Sequence, residues 1–313
     1  MPRDRAHPLV MGVLNVTPDS FSDGGRYLST DAAIRRAEQL AAEGADLIDL
    51  GGESTRPGSR SVSVEEELRR VIPVIRGLAG RVRVPMSIDT SKAEVAHRAL
   101  EAGAVMVNDV TALRGDPRMA AGVARARVPV ILMHMRGTPR TMQCAPRYHD
   151  VVAEVRTFLT DARRRAEQAG IAREHILLDP GLGFGKTVAH NLLLLRHLDT
   201  LVALGQPIVI GPSRKSFIGR VLVVEVVAPP ARRDTSSPAW TVPARSEAIV
   251  EERLAGTLAC VAMAAQHQAH IVRVHDVKAT VQFLRMWRAI ADAAGREHRP
   301  RRHRAPSPAR CAA

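Results

Sequence analysis

Side chains able to hold a flat heterocycle recur where short apolar runs of the sequence end. Residues 176–178 are branched and apolar, and they lead into Asp179, a proline and three glycines, the pattern of a buried strand followed by a polar loop. A carboxylate there can accept paired N–H donors from a ring. Asp89, Asn108 and Lys215 stand at or shortly after other apolar runs. The apolar candidates for lining the ring are Val110, Met133 and Phe184.

A second group has the chemistry of an anion site. Arg273 and His275 follow the last apolar run, directly before a predicted helix, and a helix N-terminus favours an anion. Asn15 ends the first run, and its amide oxygen suits a Mg²⁺ ion that keeps most of its waters. The sequence shows neither a Ser-His-Asp set nor zinc-ligand spacing. The two groups together favour departure of a phosphorylated leaving group over acid–base hydrolysis.

Each of these residues also has an ordinary structural explanation. Asn15 could cap a turn, and Asp89 could serve the start of a helix. Lys215 could be a solvated surface amine, and Arg273 could pair with Asp276. Caps alone do not require amide, carboxylate and cation together, which favours a site. A P-loop is excluded because the glycines near Asp179 have one residue too few between them.

The elements that position these residues are eight apolar runs that alternate with amphipathic stretches. Strict strand–helix alternation predicts an α/β fold, a single-domain (β/α)8 TIM barrel, in which all the C-terminal strand ends share one mouth. A doubly wound open sheet is the alternative. The predicted strands cover residues 9–14, 46–50, 84–88, 104–107, 129–133, 176–179, 207–210 and 270–272.

Capping patterns and apolar periodicity place several helices. Ser63 with Glu66, and Ser91 with Glu94, have the spacing of a capping box. We therefore expect a helix to begin after each of these serines. The helix after the sixth strand is predicted at residues 192–204, and the last helix at residues 277–291.

Length and composition predict one domain. A chain of 313 residues with 45% hydrophobic content can bury a full core. Residues 1–294 are assigned to the barrel. Residues 223–246 are Pro-rich and aperiodic, which predicts a surface insertion within the seventh helical region. Residues 295–313 form a basic stretch without apolar periodicity, which predicts a disordered tail.

Charge and cysteine usage predict the compartment and the class of partner. The formal net charge of +13 invites a nucleic-acid partner, but only 3% of residues are aromatic and no stacking or finger motif accompanies the charge. Cys144, Cys260 and Cys311 lack disulfide or metal-site spacing, which indicates a reducing cytoplasm. No apolar run reaches the length of a signal or a membrane span. We expect a cytoplasmic protein that binds small molecules and neither nucleic acid nor membranes.

Eight stretches of the sequence, taken together, resemble the dihydropteroate synthase family. They follow one another in family order over nearly the whole chain. Their glycines, carboxylates and cations coincide with the predicted strand ends. The stretches are residues 11–25, 51–58, 87–90, 108–109, 133–135, 176–187, 213–217 and 273–276.

The resemblance implies an enzyme that joins 6-hydroxymethyl-7,8-dihydropterin diphosphate to 4-aminobenzoate, releasing diphosphate and making dihydropteroate for folate. It also implies Mg²⁺ as cofactor, a homodimer and a sulfonamide target. It gives Asp179, Lys215 and Arg273 catalytic roles. By the same likeness, the pterin is held by Asp89, Asn108, Asp179 and Lys215, beside Met133 and Phe184. Magnesium is bound by Asn15, and the diphosphate is held by Arg273 and His275. The aminobenzoate is received by Thr55, Arg56, Pro57 and Ser216, and the first mobile loop is ordered by Phe21 and Asp23.

Two features depart from the family pattern. Pro212 removes an N–H group near the loop that carries Lys215. The insertion and the tail lie outside the pattern, which leaves the packing of the seventh helix open. Two alternatives remain: a pterin-dependent methyltransferase, which could share the ring pocket, and a catalytically silent paralogue, which would keep the fold and bind or regulate. The methyltransferase has no use for an anion site at Arg273 and His275, and no motif residue is missing as a silent paralogue would require.

Overall fold

The structure is a computed structural model that describes residues 7–17, 26–56, 58–223 and 247–296; for residues 26–29 and 294–296 it describes the backbone alone. The predicted insertion, apart from Val223, and the tail from residue 297 onward lie outside the described residues. So do Phe21, Asp23 and Pro57.

Within the described part of the chain, eight parallel strands form one sheet that curls into a barrel. The strand order is β6-β5-β4-β3-β2-β1-β8-β7, and a bridge between Leu178 and Ile208 brings β7 beside β6. The barrel is thus nearly closed, which confirms the predicted TIM barrel and excludes the open sheet. The strands are β1 (Leu9–Asn15), β2 (Leu47–Gly51), β3 (Met86–Asp89), β4 (Met106–Asp109), β5 (Val130–Met133), β6 (Ile176–Asp179), β7 (Val209–Ile210) and β8 (Ile271–Val274).

Helices cover the outside of this barrel. Outward-facing strand residues such as Leu50 and Ile88 are fully buried in the same apolar cluster as Val71, Ile75 and Leu78. Burial of such side chains stabilises the fold by about 1.5–3 kcal/mol each. The helices are α1 (Arg26–Ala42), α2 (Val64–Leu78), α3 (Ala93–Ala102), α4 (Met119–Ala126), α5 (Val151–Gln168), α6 (Val188–Arg196), α7 (Leu198–Val202), α8 (Ser216–Leu222), α9 (Leu254–Gln266) and α10 (Val277–Arg296), with short 3-10 turns at Arg173–His175 and Val250–Arg253.

The inside of the barrel changes from apolar to polar along the strands. Alternate strand residues point inward. A lower layer is apolar and nearly inaccessible: Met11, Leu47, Met106, Ile131, Leu177, Val209 and Ile271. Two residues further along the strands, the inward positions are largely polar: Asp49 on β2, Asn108 on β4, Met133 on β5, Asp179 on β6 and Arg273 on β8.

Five strands, β1, β2, β3, β4 and β8, end one or two residues later than the sequence predicted. Asn15, Asp89 and Asn108 lie within their strands rather than in the loops that follow. Their backbones are therefore held by the parallel ladder, which positions the side chains more rigidly than a loop would.

The predicted helix starts are only partly correct. The hydroxyl of Ser63 accepts a hydrogen bond from the backbone N–H of Glu66 at 3.2 Å, which confirms the cap. The capping box at Ser91 is wrong: α3 begins at Ala93, whose N–H donates to the carboxylate of Asp116 at 3.1 Å. A carboxylate from another loop therefore caps this helix instead of a local serine.

The single helix predicted at residues 192–204 is also wrong. Thr187 caps α6, so the helix starts at Val188, and it ends before His197, after which α7 begins. In the seventh unit, α8 and α9 stand on either side of residues 224–246. Taken over the described residues, no helix combines the length and apolar character that a membrane span needs.

Candidate active site

The centre of the barrel mouth is a hydrogen-bonded carboxylate, Asp49 of β2. Its Oδ1 accepts from the hydroxyl of Ser87 at 2.5 Å. Its Oδ2 accepts from Nδ2 of Asn108 at 2.9 Å and from Nε of Arg273 at 2.6 Å. The carboxylate is fully buried. Through these hydrogen bonds it connects β2 to β3, β4 and β8.

Asp49 was missed by the sequence interpretation because it lies inside the apolar run 46–50. That interpretation considered only residues at the ends of runs. Strand periodicity would have found the residue, since Asp49 occupies an inward position two residues before Gly51.

Arg273 connects the two groups that the sequence separated. Besides Asp49, its Nη2 donates to Oδ2 of Asp89 at 2.8 Å. The sequence placed Arg273 in the anion site alone, but Arg273 also belongs to the ring pocket through Asp89. The suggested pair with Asp276 is wrong, because the Asp276 carboxylate binds Arg214, with Nε to Oδ2 at 3.0 Å.

Burial and charge determine the protonation of this network. Burial raises the pKa of Asp89 to about 7, since it outweighs the opposing effect of Arg273, and Asp49 and Glu67 raise it further. Burial alone would lower the pKa of Arg273, but the carboxylates of Asp49 and Asp89 raise it above its ordinary value. Arg273 is therefore a permanent cation, while Asp89 titrates near neutral pH.

Asp179 lies across the mouth at the end of β6. Its Oδ1 accepts from the backbone N–H of Gly181 at 2.6 Å, and among the described residues Oδ2 has no hydrogen bond. Burial raises the pKa of Asp179, and the charge of Lys215 opposes that rise. One oxygen of Asp179 is thus structural and the other is available to a ligand.

Lys215 faces the Asp179 loop and lies just before α8. Its amine donates to the carbonyl of Leu182 and lies 4.5 Å from the centre of the Phe184 ring. Burial lowers the pKa of Lys215 to about 8, although Asp179 raises it. Gly183 has φ +80°, and a Cβ there would lie 2.9 Å from Cδ of Lys215, so the close approach requires glycine.

An apolar wall completes the ring pocket as the sequence predicted. Val110 and Met133 are buried in one cluster, and Phe184 packs against it. The sequence missed two further members of this cluster, Met135 and Met142. The pocket therefore combines a flexible sulfur-rich wall with acceptors from Asp89, Asn108 and Asp179.

His275 lies beside Ser213 at the start of the last helical unit. Its Nδ1 is 3.0 Å from the Ser213 hydroxyl, and its backbone N–H donates to the same oxygen at 3.1 Å. Burial lowers the pKa of His275 to about 3, and Arg273 and Arg214 add to that effect. The imidazole is therefore neutral near pH 7, and Arg273 carries the positive charge of this corner.

The space beside Gly51 is bordered by the kind of oxygen ligand that a hard cation prefers. A Cβ built on Gly51 would lie 3.9 Å from Oδ1 of Asn15; the other nearby oxygen, Oδ2 of Asp89 at 3.8 Å, already accepts from Arg273. Among the described residues there is no group of three or more His, Cys, Asp or Glu that could enclose a metal. The chemistry fits Mg²⁺ held by few protein oxygens and by ligand phosphates.

The loop after β2 is anchored at its root and carries the predicted aminobenzoate residues. Lys92 donates to the carboxylates of Glu53 and of fully buried Glu67, the latter at 2.5 Å. Thr55 is half-buried and Arg56 is exposed. Ser216, the fourth residue predicted for this substrate, opens α8 directly after Lys215 and is half-buried.

Pro212 fits the loop after β7. Its carbonyl accepts from the N–H of Lys215 at 3.3 Å. The turn is therefore closed by the carbonyl of Pro212 and does not use an N–H at this position. Pro212 is buried, and the following Ser213 keeps its hydroxyl for His275. The missing N–H of Pro212 thus leaves the Lys215 turn intact.

Comparisons with known proteins show what the chain is similar to. A family profile described as "Pterin binding enzyme" matches residues 11–275. The dihydropteroate synthase of Escherichia coli K12 is 47% identical over 290 residues, covering 93% of this chain and 94% of that protein.

Solved structures extend the similarity to three dimensions. The dihydropteroate synthase of Xanthomonas albilineans with 4-aminobenzoic acid is 48% identical, with a TM-score of 0.80, and covers 93% of this chain and 95% of its own. The same enzyme in complex with 7,8-dihydropteroate is 45% identical over the same shares, with a TM-score of 0.77.

Proposed function

This chain belongs to the dihydropteroate synthase family of pterin-binding enzymes, and we propose that its barrel mouth, centred on Asp49, is where the family reaction takes place. The chain condenses 6-hydroxymethyl-7,8-dihydropterin diphosphate with 4-aminobenzoate to give 7,8-dihydropteroate and diphosphate in folate biosynthesis. It is a transferase of an alkyl group, the pterinylmethyl group. The methyltransferase and the silent paralogue are therefore set aside.

The observation that supports this location is the polar inner layer of the barrel. Asp89, Asn108 and Asp179 present acceptors from three strands. Lys215 presents a donor from the loop after β7. A pterin ring has amino and ring N–H groups on one edge and a carbonyl with ring nitrogens on the other. Acceptors bind the first edge and the lysine binds the second, with Met133 and Phe184 against the ring face.

Arg273 and His275 stabilise the leaving diphosphate. The guanidinium is a permanent cation, and the neutral imidazole contributes an N–H donor beside it. Donors aimed at charge that develops during bond breaking lower the barrier more than donors that bind the ground state alone.

Asn15 would hold Mg²⁺ in the space beside Gly51, together with oxygens of the diphosphate. The ion would neutralise charge on the departing diphosphate. Titration of the protein with Mg²⁺ and inorganic diphosphate, followed by calorimetry, tests the site. Diphosphate binding that is equally tight without the cation would contradict it.

We favour a dissociative order of bond changes. The bond between the exocyclic methylene carbon and the diphosphate oxygen breaks first, and its electron pair leaves with the oxygen. Electrons of the pterin ring stabilise the positive charge on the methylene. The aminobenzoate nitrogen then forms the new C–N bond and releases its proton. Positional isotope exchange within the diphosphate, in the absence of aminobenzoate, supports this order, and its complete absence counts against it.

The aminobenzoate site is assigned to the loop after β2 and to Ser216. Thr55 and Arg56 lie on the rim of the mouth, and Arg56 offers a cation to the aminobenzoate carboxylate. Phe21, Asp23 and Pro57 keep the roles predicted from the sequence. Aminobenzoate should bind after the pterin diphosphate, and a sulfonamide should compete with it. Equal binding of aminobenzoate to the empty enzyme would contradict the order.

A homodimer is supported by exposed apolar side chains on neighbouring elements. Leu193 on α6, Leu222 on α8 and Ile249 before the 3-10 turn are 43%, 45% and 60% exposed. Exposed large apolar side chains on elements that contact one another favour an interface. Sedimentation analysis of the wild type and of Leu193→Glu tests it: a wild-type monomer would contradict the dimer.

A cytoplasmic location is supported by the thiols. Among the described residues Cys144 and Cys260 form no disulfide, and Cys144 is exposed, which suits a reducing compartment. Recovery of the activity in a membrane or extracellular fraction would contradict this location.

The direct experiment is a synthase assay with the pure protein. Both substrates and Mg²⁺ are supplied, and dihydropteroate is detected by mass. Product that depends on both substrates is the expected result. No product from a folded protein would overturn the assignment.

A further inference from the structure

We propose that Asp49 is a positioning residue for the synthase reaction: it aims Arg273 at the leaving diphosphate and holds the Asn108 amide in one orientation toward the pterin ring. This inference rests on the function proposed above. Asp49 is fully buried, two residues before the end of β2, and acts on the substrates through these two side chains.

The burial of Asp49 makes its hydrogen bonds decisive. Its side chain has no solvent exposure, so a carboxylate there must be neutralised and fully hydrogen-bonded. The three donors come from Ser87, Asn108 and Arg273, on three different strands. A single carboxylate thus sets the relative positions of β3, β4 and β8 side chains.

The first consequence concerns the orientation of Asn108. Its Nδ2 donates to Asp49, so its Oδ1 stays as an acceptor for the ring. A flipped amide would place its oxygen against a carboxylate oxygen, and two acceptors repel. Asp49 thereby determines which edge of a heterocycle Asn108 accepts.

The second consequence concerns Arg273. Asp49 holds the guanidinium from Nε, whereas Asp89 holds it from Nη2. Among the described residues Nη1 has no hydrogen bond. When ring N–H groups occupy Asp89, the Asp49 bond at Nε still holds the guanidinium, and the two Nη groups can turn to an anion.

A purely structural role for Asp49 predicts a different outcome, and Asp109 offers a matched control. Asp109 is also fully buried at a strand end, but it accepts from the backbone N–H groups of Thr111 and Leu113 and from the Thr111 hydroxyl. It stabilises the loop after β4, and its carboxylate makes no hydrogen bond to the side chain of Arg273 or of Asn108. Loss of either carboxylate should weaken the fold.

The experiment compares Asp49→Asn with Asp109→Asn. Both variants keep side-chain volume, and circular dichroism confirms that each is folded. We expect kcat/KM for the pterin diphosphate to fall about 10-fold or more in Asp49→Asn beyond any fall in Asp109→Asn, since the hydrogen bond from Arg273 loses its charged acceptor. Calorimetry with the pterin diphosphate alone should show the same difference.

A double-mutant cycle identifies the route of the effect. In an Arg273→Ala background, Asp49→Asn should lower substrate affinity much less than it does in the wild type. Arg273→Lys serves as a second background, because Arg273→Ala leaves two buried carboxylates without their cation. An Asp49→Asn effect that is equal in all backgrounds overturns the proposal.

The outcomes separate this inference from the proposed function. A folded wild type that neither binds the pterin diphosphate nor makes dihydropteroate overturns the proposed function and this inference with it. An active wild type, in which Asp49→Asn and Asp109→Asn lose activity equally, overturns this inference alone.

Discussion

Nζ of Lys186 lies 2.9 Å from Nδ1 of His134, beneath the loop that carries Phe184. The same amine donates to the carbonyls of Gly181 and Phe184 at 2.9 and 3.0 Å. Burial lowers the pKa of Lys186 well below its ordinary value. Burial, followed by the charge of Lys186, lowers the pKa of His134 to about 2. The imidazole is therefore an acceptor, and the lysine is a buried donor that ties the loop together.

Replacing Lys186 by Met should loosen this loop. The substitution leaves several buried acceptors without a donor, so the free energy of unfolding should fall by about 2–4 kcal/mol. Pterin affinity should fall as well, because the Gly181 and Phe184 carbonyls lose their common donor. Urea unfolding and calorimetry measure the two effects.

Exposed Lys278 on α10 provides the control for this prediction. Lys278→Met should change stability by no more than about 0.5 kcal/mol. If Lys186→Met is as stable and binds pterin as well as the control, the buried amine does not organise the loop.

The sequence could predict the barrel and most of the candidate site because both depend on local signals. Asp89, Asn108 and Asp179 follow apolar runs, and parallel strands bring the ends of those runs to one mouth. Neither inference needs a partner distant in the sequence.

The remainder of the site depends on contacts that no local pattern contains. Asp49 binds an arginine 224 residues later, and Lys186 binds a histidine 52 residues earlier. The start of α3 was mispredicted for the same reason, since Asp116 caps it from a loop further along the chain. The proton affinity of Asp89 likewise depends on burial that appears only after folding.

Pterin binding should release a proton near neutral pH. Burial raises the pKa of Asp89 to about 7 in the folded empty site, against 3.8 for the ordinary group. Ring N–H donors require the carboxylate, so binding should strengthen as pH rises from about 6 to 8. Calorimetry in two buffers of different ionisation enthalpy, at pH 6.5, should reveal the released proton.

The same shift has a defined sign for stability. Folding favours protonated Asp89, so its stabilising contribution is full below pH 3.8 and is lost as pH rises through about 7. Asp89→Asn should abolish the proton release on pterin binding, and it should also abolish the decrease in stability as pH rises. A binding enthalpy independent of the buffer in the wild type would show that Asp89 does not take the ring donors.

Asp179→Ala should weaken pterin binding strongly while the chain still folds. A charge-assisted hydrogen bond contributes about 1.5–3 kcal/mol, which corresponds to roughly 10- to 150-fold in affinity for each bond lost. The variant also removes the acceptor of the Gly181 N–H, so the loop should become more mobile. Calorimetry with a pterin ligand measures the change.

Asp150 supplies a comparison, since its carboxylate caps α5 through the N–H groups of Val152 and Ala153. Asp150→Ala should lower stability by about 1 kcal/mol and leave pterin affinity unchanged. Should Asp179→Ala bind pterin as tightly as Asp150→Ala does, the ring pocket lies elsewhere.

Lys92 should anchor the loop after β2, which carries the predicted aminobenzoate residues. Its amine joins Glu53, at the root of the loop after β2, to Glu67, which is fully buried on α2. Burial would lower the pKa of Lys92, but the hydrogen bonds that it donates to Glu53 and Glu67 raise this pKa above its ordinary value. Lys92→Met leaves the Glu67 carboxylate buried without its cation, and among the described residues Oε1 of Glu67 already has no hydrogen-bond partner. The free energy of unfolding should fall by about 3–5 kcal/mol.

The double variant Lys92→Met, Glu67→Gln separates stability from function. It removes both buried charges, so much of the lost stability should return, while Glu53 stays released and the loop that carries Thr55 and Arg56 stays loose. KM for aminobenzoate should therefore rise several-fold, with pterin affinity close to that of the wild type. Urea unfolding, steady-state kinetics and pterin calorimetry give the three quantities. A double variant whose KM for aminobenzoate matches the wild type would mean that Lys92 serves the fold alone and that the loop needs no anchor at Glu53.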